Sequence, residues 1–312
     1  KEEGLAKRRN INASTAKAEG EDSEASQPSS GTSSMLNPSS IPQLMQMMQS
    51  GTPEEQVEGL RGFRRLLSCE TAPPVQACID IGAIPFFVQA LQCVDRLDLQ
   101  FEAAWALTNI ASTDRTSVVV DVGAVPHLVR ALYSGCPNVR EQAAWCLGNI
   151  SGDGPSYRDI VLGCNGLEPL LENIRRPANA SLLKNCTWAL SNLCRGKPHP
   201  AREVIAPVFP VLAQLVQSED KEVVIDATWA LSYLSDGSDE RIAVVVESGV
   251  IPTLVGLLSS SKTHVIVPAL RTLGNIVSGS DEQTQAVVDA HVLSGLVKLL
   301  SHQKKNIRKE TC

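Results

Sequence analysis

The chain has 312 residues, with 28 Lys and Arg against 34 Asp and Glu and a net charge of −6. Apolar content of 43% with only 4% aromatics calls for a core of Leu, Val, Ile and Ala, and the absence of an eighteen-residue apolar run argues against a membrane span. The acidic balance argues against general nucleic-acid binding and suits a basic ligand if the acids gather on one face.

In chain order, the start Lys1-Glu2-Glu3-Gly4 has no apolar signal core and no initiating Met, and reads as a trimmed end. A compact basic cluster follows, Lys7-Arg8-Arg9. Residues 25–34 are small and polar and read as a flexible linker. The 25 residues from 10 to 34, as a flexible coil, span about 25–30 Å. The boundary between tail and array is set at residue 34.

From residue 35 onward the chain repeats. Six prolines, Pro42, Pro85, Pro126, Pro169, Pro210 and Pro252, are spaced 43, 41, 43, 41 and 42 residues apart. Each stands second in a predicted helix that begins one residue earlier, as at Ile41 and Ile84, because proline suits a first turn where its missing N–H is not needed. A seventh register at Leu293 keeps the spacing without proline. Each unit is predicted to hold three helices: a short one stopped by glycine, as at Gly123, a second from the proline, and a long third, such as 139–150. Residues 306–312 look like the opening of another third helix, so about six repeats are expected, the last truncated. A period of 40–43 with three helices per unit predicts an all-α, right-handed superhelical solenoid of armadillo type.

The four tryptophans share one register: Trp105, Trp145, Trp188 and Trp229, spaced 40, 43 and 41 apart. Three carry an asparagine four residues on, Asn109, Asn149 and Asn192, on the same helical face. One Trp at helical spacing reads as a core anchor; four in register with Asn favour a groove, since Asn is poor core material unless bonded. Asparagine both donates and accepts, so it can hold a peptide unit in both directions. Indoles leave slots for lysine stems, with cation–π attraction of roughly 0.5–2 kcal/mol. Acids lie nearby: Glu141 four before Trp145, Asp226 three before Trp229, Asp153 after Asn149, and Glu70 after the first long helix. Each suits either a solvated face or a cationic ligand.

Nine cysteines are scattered without Cys-x-x-Cys spacing and read as small buried thiols rather than metal ligands. The five histidines are dispersed, His199 lies in a loop between two prolines, and no phosphate-cradling glycine motif is present. Neither an enzyme, a metal site nor a cofactor is expected.

The strings Phe101-Glu-Ala-Ala-Trp-Ala-Leu-Thr-Asn109, Trp145-Cys-Leu-Gly-Asn-Ile-Ser-Gly-Asp153, Trp188-Ala-Leu-Ser-Asn192, Trp229-Ala-Leu-Ser-Tyr233 and Arg271-Thr-Leu-Gly-Asn275 resemble importin-α (karyopherin-α), the adaptor for Lys/Arg-rich nuclear localisation signals. The resemblance implies a major cargo groove at Trp105, Asn109, Trp145, Asn149, Trp188, Asn192 and Trp229. It implies that Asp153 and Thr116 hold a key cargo lysine, with Glu70, Ser112, Glu141, Gln142, Asn185 and Asp226 as further contacts. It places Asp236, Arg271 and Asn275 at the edge of a minor groove, and makes residues 1–34 the remnant of an importin-β-binding segment whose Lys7, Arg8 and Arg9 are an autoinhibitory pseudo-cargo. Partners would be localisation-signal peptides, importin-β and the pore import machinery, with shuttling between cytoplasm and nucleus and no direct nucleic-acid or membrane contact. Thr113 stands where the family has glycine, and Tyr233 and Arg271 replace rung Asn and Trp. The rival reading is an armadillo scaffold of the β-catenin-like adhesion and signalling type, which takes acidic partners.

Overall fold

A computed structural model describes residues 7, 8, 38–69 and 72–312. The described residues form helices and turns without a strand, and divide into two compact units, residues 7–153 and 154–312.

In the first unit the helices are α1 (Ile41–Ser50), α2 (Pro53–Leu67), α3 (Val75–Asp80), α4 (Ala83–Gln92), α5 (Leu97–Ala111), α6 (Thr116–Asp121), α7 (Ala124–Ala131) and α8 (Pro137–Gly152). The long third helices α2, α5 and α8 pack side by side, and α4 and α7 form a second layer against them. Local chemistry sets these elements. Thr52 and Glu55 close a reciprocal capping box on α2, which satisfies two otherwise orphaned N–H groups. Gly82 and Gly123, at φ of 77° and 78°, turn the short helix into the second through the left-handed region that glycine enters without Cβ strain. Helix α8 outruns the expected 139–150 at both ends, and Pro137 accounts for the earlier start because it fits the first position. Phe63 and Phe87, both without exposure, meet edge to face at 5.3 Å and tie the two layers together.

The second unit holds α9 (Pro155–Gly163), α10 (Leu167–Arg175), α11 (Ala180–Cys194), α12 (Arg202–Ile205), α13 (Val208–Leu215), α14 (Lys221–Leu234), α15 (Asp239–Glu247), α16 (Ile251–Leu257), α17 (Thr263–Ile276), α18 (Asp281–Asp289), α19 (Val292–Leu300) and α20 (Lys305–Thr311). Here α11, α14, α17 and α20 are the stacked third helices.

The register prolines sit at the second position of α1 and α16 and the third of α4, α7, α10 and α13, so those four helices begin one residue before the point expected from sequence. That is still the first turn, where N–H groups have no intrahelical acceptor. Glycine is not the universal stop. Asn165 and His291 adopt φ of 58° and 63° in two repeats whose turns lack a left-handed glycine, and the turn from α12 to α13 uses Ala206 and Pro207 at negative φ. All nine cysteines are free; four are buried, but Cys93 and Cys312 are exposed, so the expectation of uniformly buried thiols holds only in part. Burial pushes the Cys78 thiol up to about 12 and raises those of Cys146 and Cys194, which leaves them unreactive.

Candidate peptide-binding groove

Helices α5 and α8 carry the first two Trp/Asn pairs of the 7–153 unit. Both helices are Ala-rich on their packed sides, which allows the close approach that puts Asn109 and Asn149 at zero exposure. Each buried amide is braced by the preceding long helix. Asn109 Nδ2 donates to Ser68 Oγ at 2.9 Å, and Asn149 Nδ2 donates to the Thr108 carbonyl at 3.1 Å. The brace fixes which side of the amide is donor and which is acceptor.

The tail residues Lys7 and Arg8 lie against this face. The main chain of Arg8 is held in both directions: its N–H donates to Asn149 Oδ1 at 2.7 Å, and its carbonyl accepts from Asn149 Nδ2 at 2.9 Å. The indole N–H of Trp145 donates to the same carbonyl at 2.7 Å. Sequence reasoning gave Trp145 only a role in sorting side chains; this main-chain bond was missed. The signal lay in the indole itself, whose single N–H needs a partner when it is partly buried.

Lys7 ends in a pocket of three acceptors. Its ammonium donates to the Thr113 carbonyl and to Thr116 Oγ1, both at 2.6 Å, and pairs with Asp153 Oδ1 at 2.5 Å. An ammonium has three donors, so the set is complete. Thr116, the first residue of α6 and fully buried, donates its own proton to the Ala111 carbonyl at 3.0 Å. Its lone pairs therefore face the lysine. Asp153 caps the C-terminus of α8, the end at which a helix dipole disfavours an anion. A carboxylate there is stabilised by an incoming cation. Thr113 supplies the pocket with its main-chain carbonyl.

Trp105 is 5% exposed, and its face is covered by the Arg64 guanidinium at 4.3 Å. Arg64 is held by buried Glu102 at 2.5 Å, which also pairs with Arg61 at 3.0 Å. This protein-supplied cation on the first rung was not foreseen. Ser112 is half-buried at the end of α5 and donates to the Asn109 carbonyl at 2.7 Å; Glu141 is half-buried and Gln142 is buried on α8. Arg9 and Glu70 lie outside the described residues.

In the 154–312 unit, α11 carries buried Asn185, Trp188 and Asn192, and α14 carries buried Asp226 and Trp229. Trp229 stacks on Tyr233 at 5.9 Å and takes Arg271 over its face at 5.3 Å. Arg271 also pairs with Glu310 at 3.1 Å. Asn275 Nδ2 repeats the brace, donating to the Ser232 carbonyl at 3.0 Å and to Ser235 Oγ at 3.1 Å. Asp236 is paired with Lys197 at 3.0 Å, both ends exposed.

Comparison with known proteins places this geometry. The Armadillo/beta-catenin-like repeat family matches residues 71–112, 112–152, 154–195, 197–236, 238–278 and 280–312, and the importin beta binding domain matches residues 1–61. The chain is 51% identical over 212 residues to importin subunit alpha-1b of Oryza sativa subsp. japonica, covering 67% of this chain and 40% of that protein. It is 49% identical to importin subunit alpha-2 of Arabidopsis thaliana, covering 68% and 40%. The chain belongs to the importin-α family of armadillo-repeat proteins. Its alignment spans about two fifths of the length of these relatives. Among solved structures, an engineered protein matches with a TM-score of 0.80 at 32% identity, over 88% of this chain and 66% of that one. A designed armadillo repeat protein in complex with peptide (KR)4 matches with a TM-score of 0.67 at 28% identity, over 73% and 96%. The match to the importin beta binding domain extends past residue 34, over α1 and into α2.

Proposed function

We propose that this chain is a non-enzymatic nuclear-import adaptor that holds Lys/Arg-rich localisation signals in extended form. The observation that carries the reading is the treatment of Lys7 and Arg8. The chain grips its own basic segment by the backbone through Asn149 and Trp145, and by one ammonium through Thr113, Thr116 and Asp153. Backbone bonds carry no sequence preference; the ammonium pocket supplies it. A cargo lysine would enter the same pocket. Lys7-Arg8-Arg9 is then a pseudo-cargo, and residues 1–34 the remainder of an importin-β-binding segment attached to the array of 35–312. Trp105, Asn109, Ser112, Glu141 and Gln142 would serve the same ligand in the first unit. Trp188, Asn192, Asn185, Asp226 and Trp229 offer the same residue types within the second, and Asp236, Arg271 and Asn275 mark its minor-groove edge. Importin-β and the pore machinery would be the transport partners, with shuttling between cytoplasm and nucleus.

The test is titration of a labelled Lys-rich peptide into the full chain carrying Lys7→Ala and Arg8→Ala, which removes the competing segment. Asp153→Lys should weaken binding by about 1.5–3 kcal/mol, the worth of a hydrogen-bonded charge that is only partly shielded from solvent. Undiminished affinity, or preference for a Glu-rich peptide as a β-catenin-like scaffold would show, overturns the proposal.

A further inference from the structure

The lysine pocket depends on a carbonyl that could easily point elsewhere. The Thr113 carbonyl sits in the exposed turn between α5 and α6, and turn peptides reorient more readily than helical ones. We propose that the Thr113 side chain is a positioning residue for lysine recognition: its hydroxyl locks the turn so that the carbonyl faces the ammonium. This deepens the function proposed above and rests on it.

The hydroxyl is bonded on both sides of that carbonyl. Thr113 Oγ1 donates to the Ile110 carbonyl at 2.7 Å and accepts from the Arg115 N–H at 3.2 Å. The Thr113 N–H also donates to the Ile110 carbonyl, at 3.0 Å. The peptide unit that presents the acceptor is thus tied back to α5 and forward to residue 115. Short polar side chains set turns by such local bonds, and a β-branched side chain has few rotamers to lose in doing so. A glycine would offer the same carbonyl with neither bond and with maximal backbone freedom.

The position has a register as well. Thr113 stands four residues after Asn109, as Asp153 stands four after Asn149. The corresponding positions after Asn192 and Asn275 are Gly196 and Gly279. Within the first unit both such positions bear side-chain oxygens, and both residues contact the same ammonium, Asp153 by its carboxylate and Thr113 by its carbonyl. Thr113 is half-buried rather than core, so its replacement leaves the packed interior intact.

The experiment uses the full chain with Lys7→Ala and Arg8→Ala, a labelled Lys-rich peptide, and the same peptide with its lysines replaced by alanine in turn. Thr113→Val keeps the shape and removes the hydroxyl; Thr113→Ser keeps the hydroxyl. Thr113→Val removes both hydroxyl bonds and should weaken the Lys-rich peptide about three- to tenfold, the worth of the one ordinary hydrogen bond between the lysine ammonium and the misplaced carbonyl. Thr113→Ser should bind within about twofold of the parent. For the peptide lacking the one pocket lysine, Thr113→Val and parent should be equal. A Thr113→Val effect that persists without that lysine, or no effect with it, overturns the positioning role. Failure of the parent itself to bind the Lys-rich peptide overturns the underlying function instead.

Discussion

A buried asparagine in this fold serves two neighbours with one amide. Asn149 Nδ2 donates to the carbonyls of Thr108, on the preceding long helix, and of Arg8, while its Oδ1 accepts from the Arg8 N–H. Trp145 donates to the same Arg8 carbonyl but takes no part in that brace. The two residues should therefore separate in their consequences. Trp145→Phe keeps the ring and loses one bond, so peptide affinity should fall by about 0.5–1.5 kcal/mol while the denaturation midpoint stays put. Asn149→Ala should lower affinity and also stability, the latter by about 0.5–1.5 kcal/mol, because the Thr108 carbonyl loses one of two donors and keeps only the Ser112 N–H at 3.0 Å. Parallel peptide titration and urea unfolding read both effects; an Asn149→Ala chain of unchanged stability would remove the brace from this account. The two-way grip of asparagine on a peptide was legible in the sequence, since it follows from the amide's own donors and acceptors. The brace was not. It joins residues 41 apart, and the sequence periodicity that pairs their helices does not say which atoms meet across them.

At the scale of elements, proline and glycine made the repeat readable, because both act through the local backbone. The prolines marked second helices to within one residue, and Gly82 and Gly123 stop the short ones. Reading failed where another residue takes glycine's conformation, as at Asn165 and His291, since Asn and His enter the left-handed region only now and then and do not announce it as glycine does. The loop before α12 shows the same limits. Pro198 and Pro200 forecast a loop around His199, but not its chemistry. There the buried Arg158 side chain donates to the carbonyls of Arg195, Gly196 and Pro198, and Arg241 donates to that of Pro200 at 2.7 Å. His199 Nδ1 is buried without a partner among the described residues. Burial, then the nearby Arg241 and Lys197 cations, against Asp236, hold its pKa below the ordinary 6.5. The unfolded chain then binds the proton more readily than the folded one. Stability should hold above about pH 6.5 and fall as pH drops through it, levelling off only below the folded value. Urea midpoints at pH 7.5 and 5.5 should diverge more for the parent chain than for His199→Asn. Equal divergence would place the sensitivity elsewhere.

For the molecule as a whole, the decisive arrangement is that ligand-like residues and pocket belong to one chain. The net charge of −6 favours approach of a cationic peptide, but the pocket that would hold it is occupied by Lys7, whose side chain is only 18% exposed. Covalent attachment presents such a segment at an effective concentration on the order of millimolar. A segment with an intrinsic dissociation constant of about 10–100 μM would then depress the apparent affinity for an added peptide by roughly ten- to a hundredfold. Lys7→Ala with Arg8→Ala should recover that factor in a peptide titration. Because the competition is intramolecular, the gain should not change when the protein is diluted. It should shrink at high salt, since Lys7 and Asp153 are both partly solvent-reached and screening weakens the pair. A gain that grows with protein concentration would mean that tails compete between molecules, and no gain at all would mean that the Lys7 pocket is not where peptide binds.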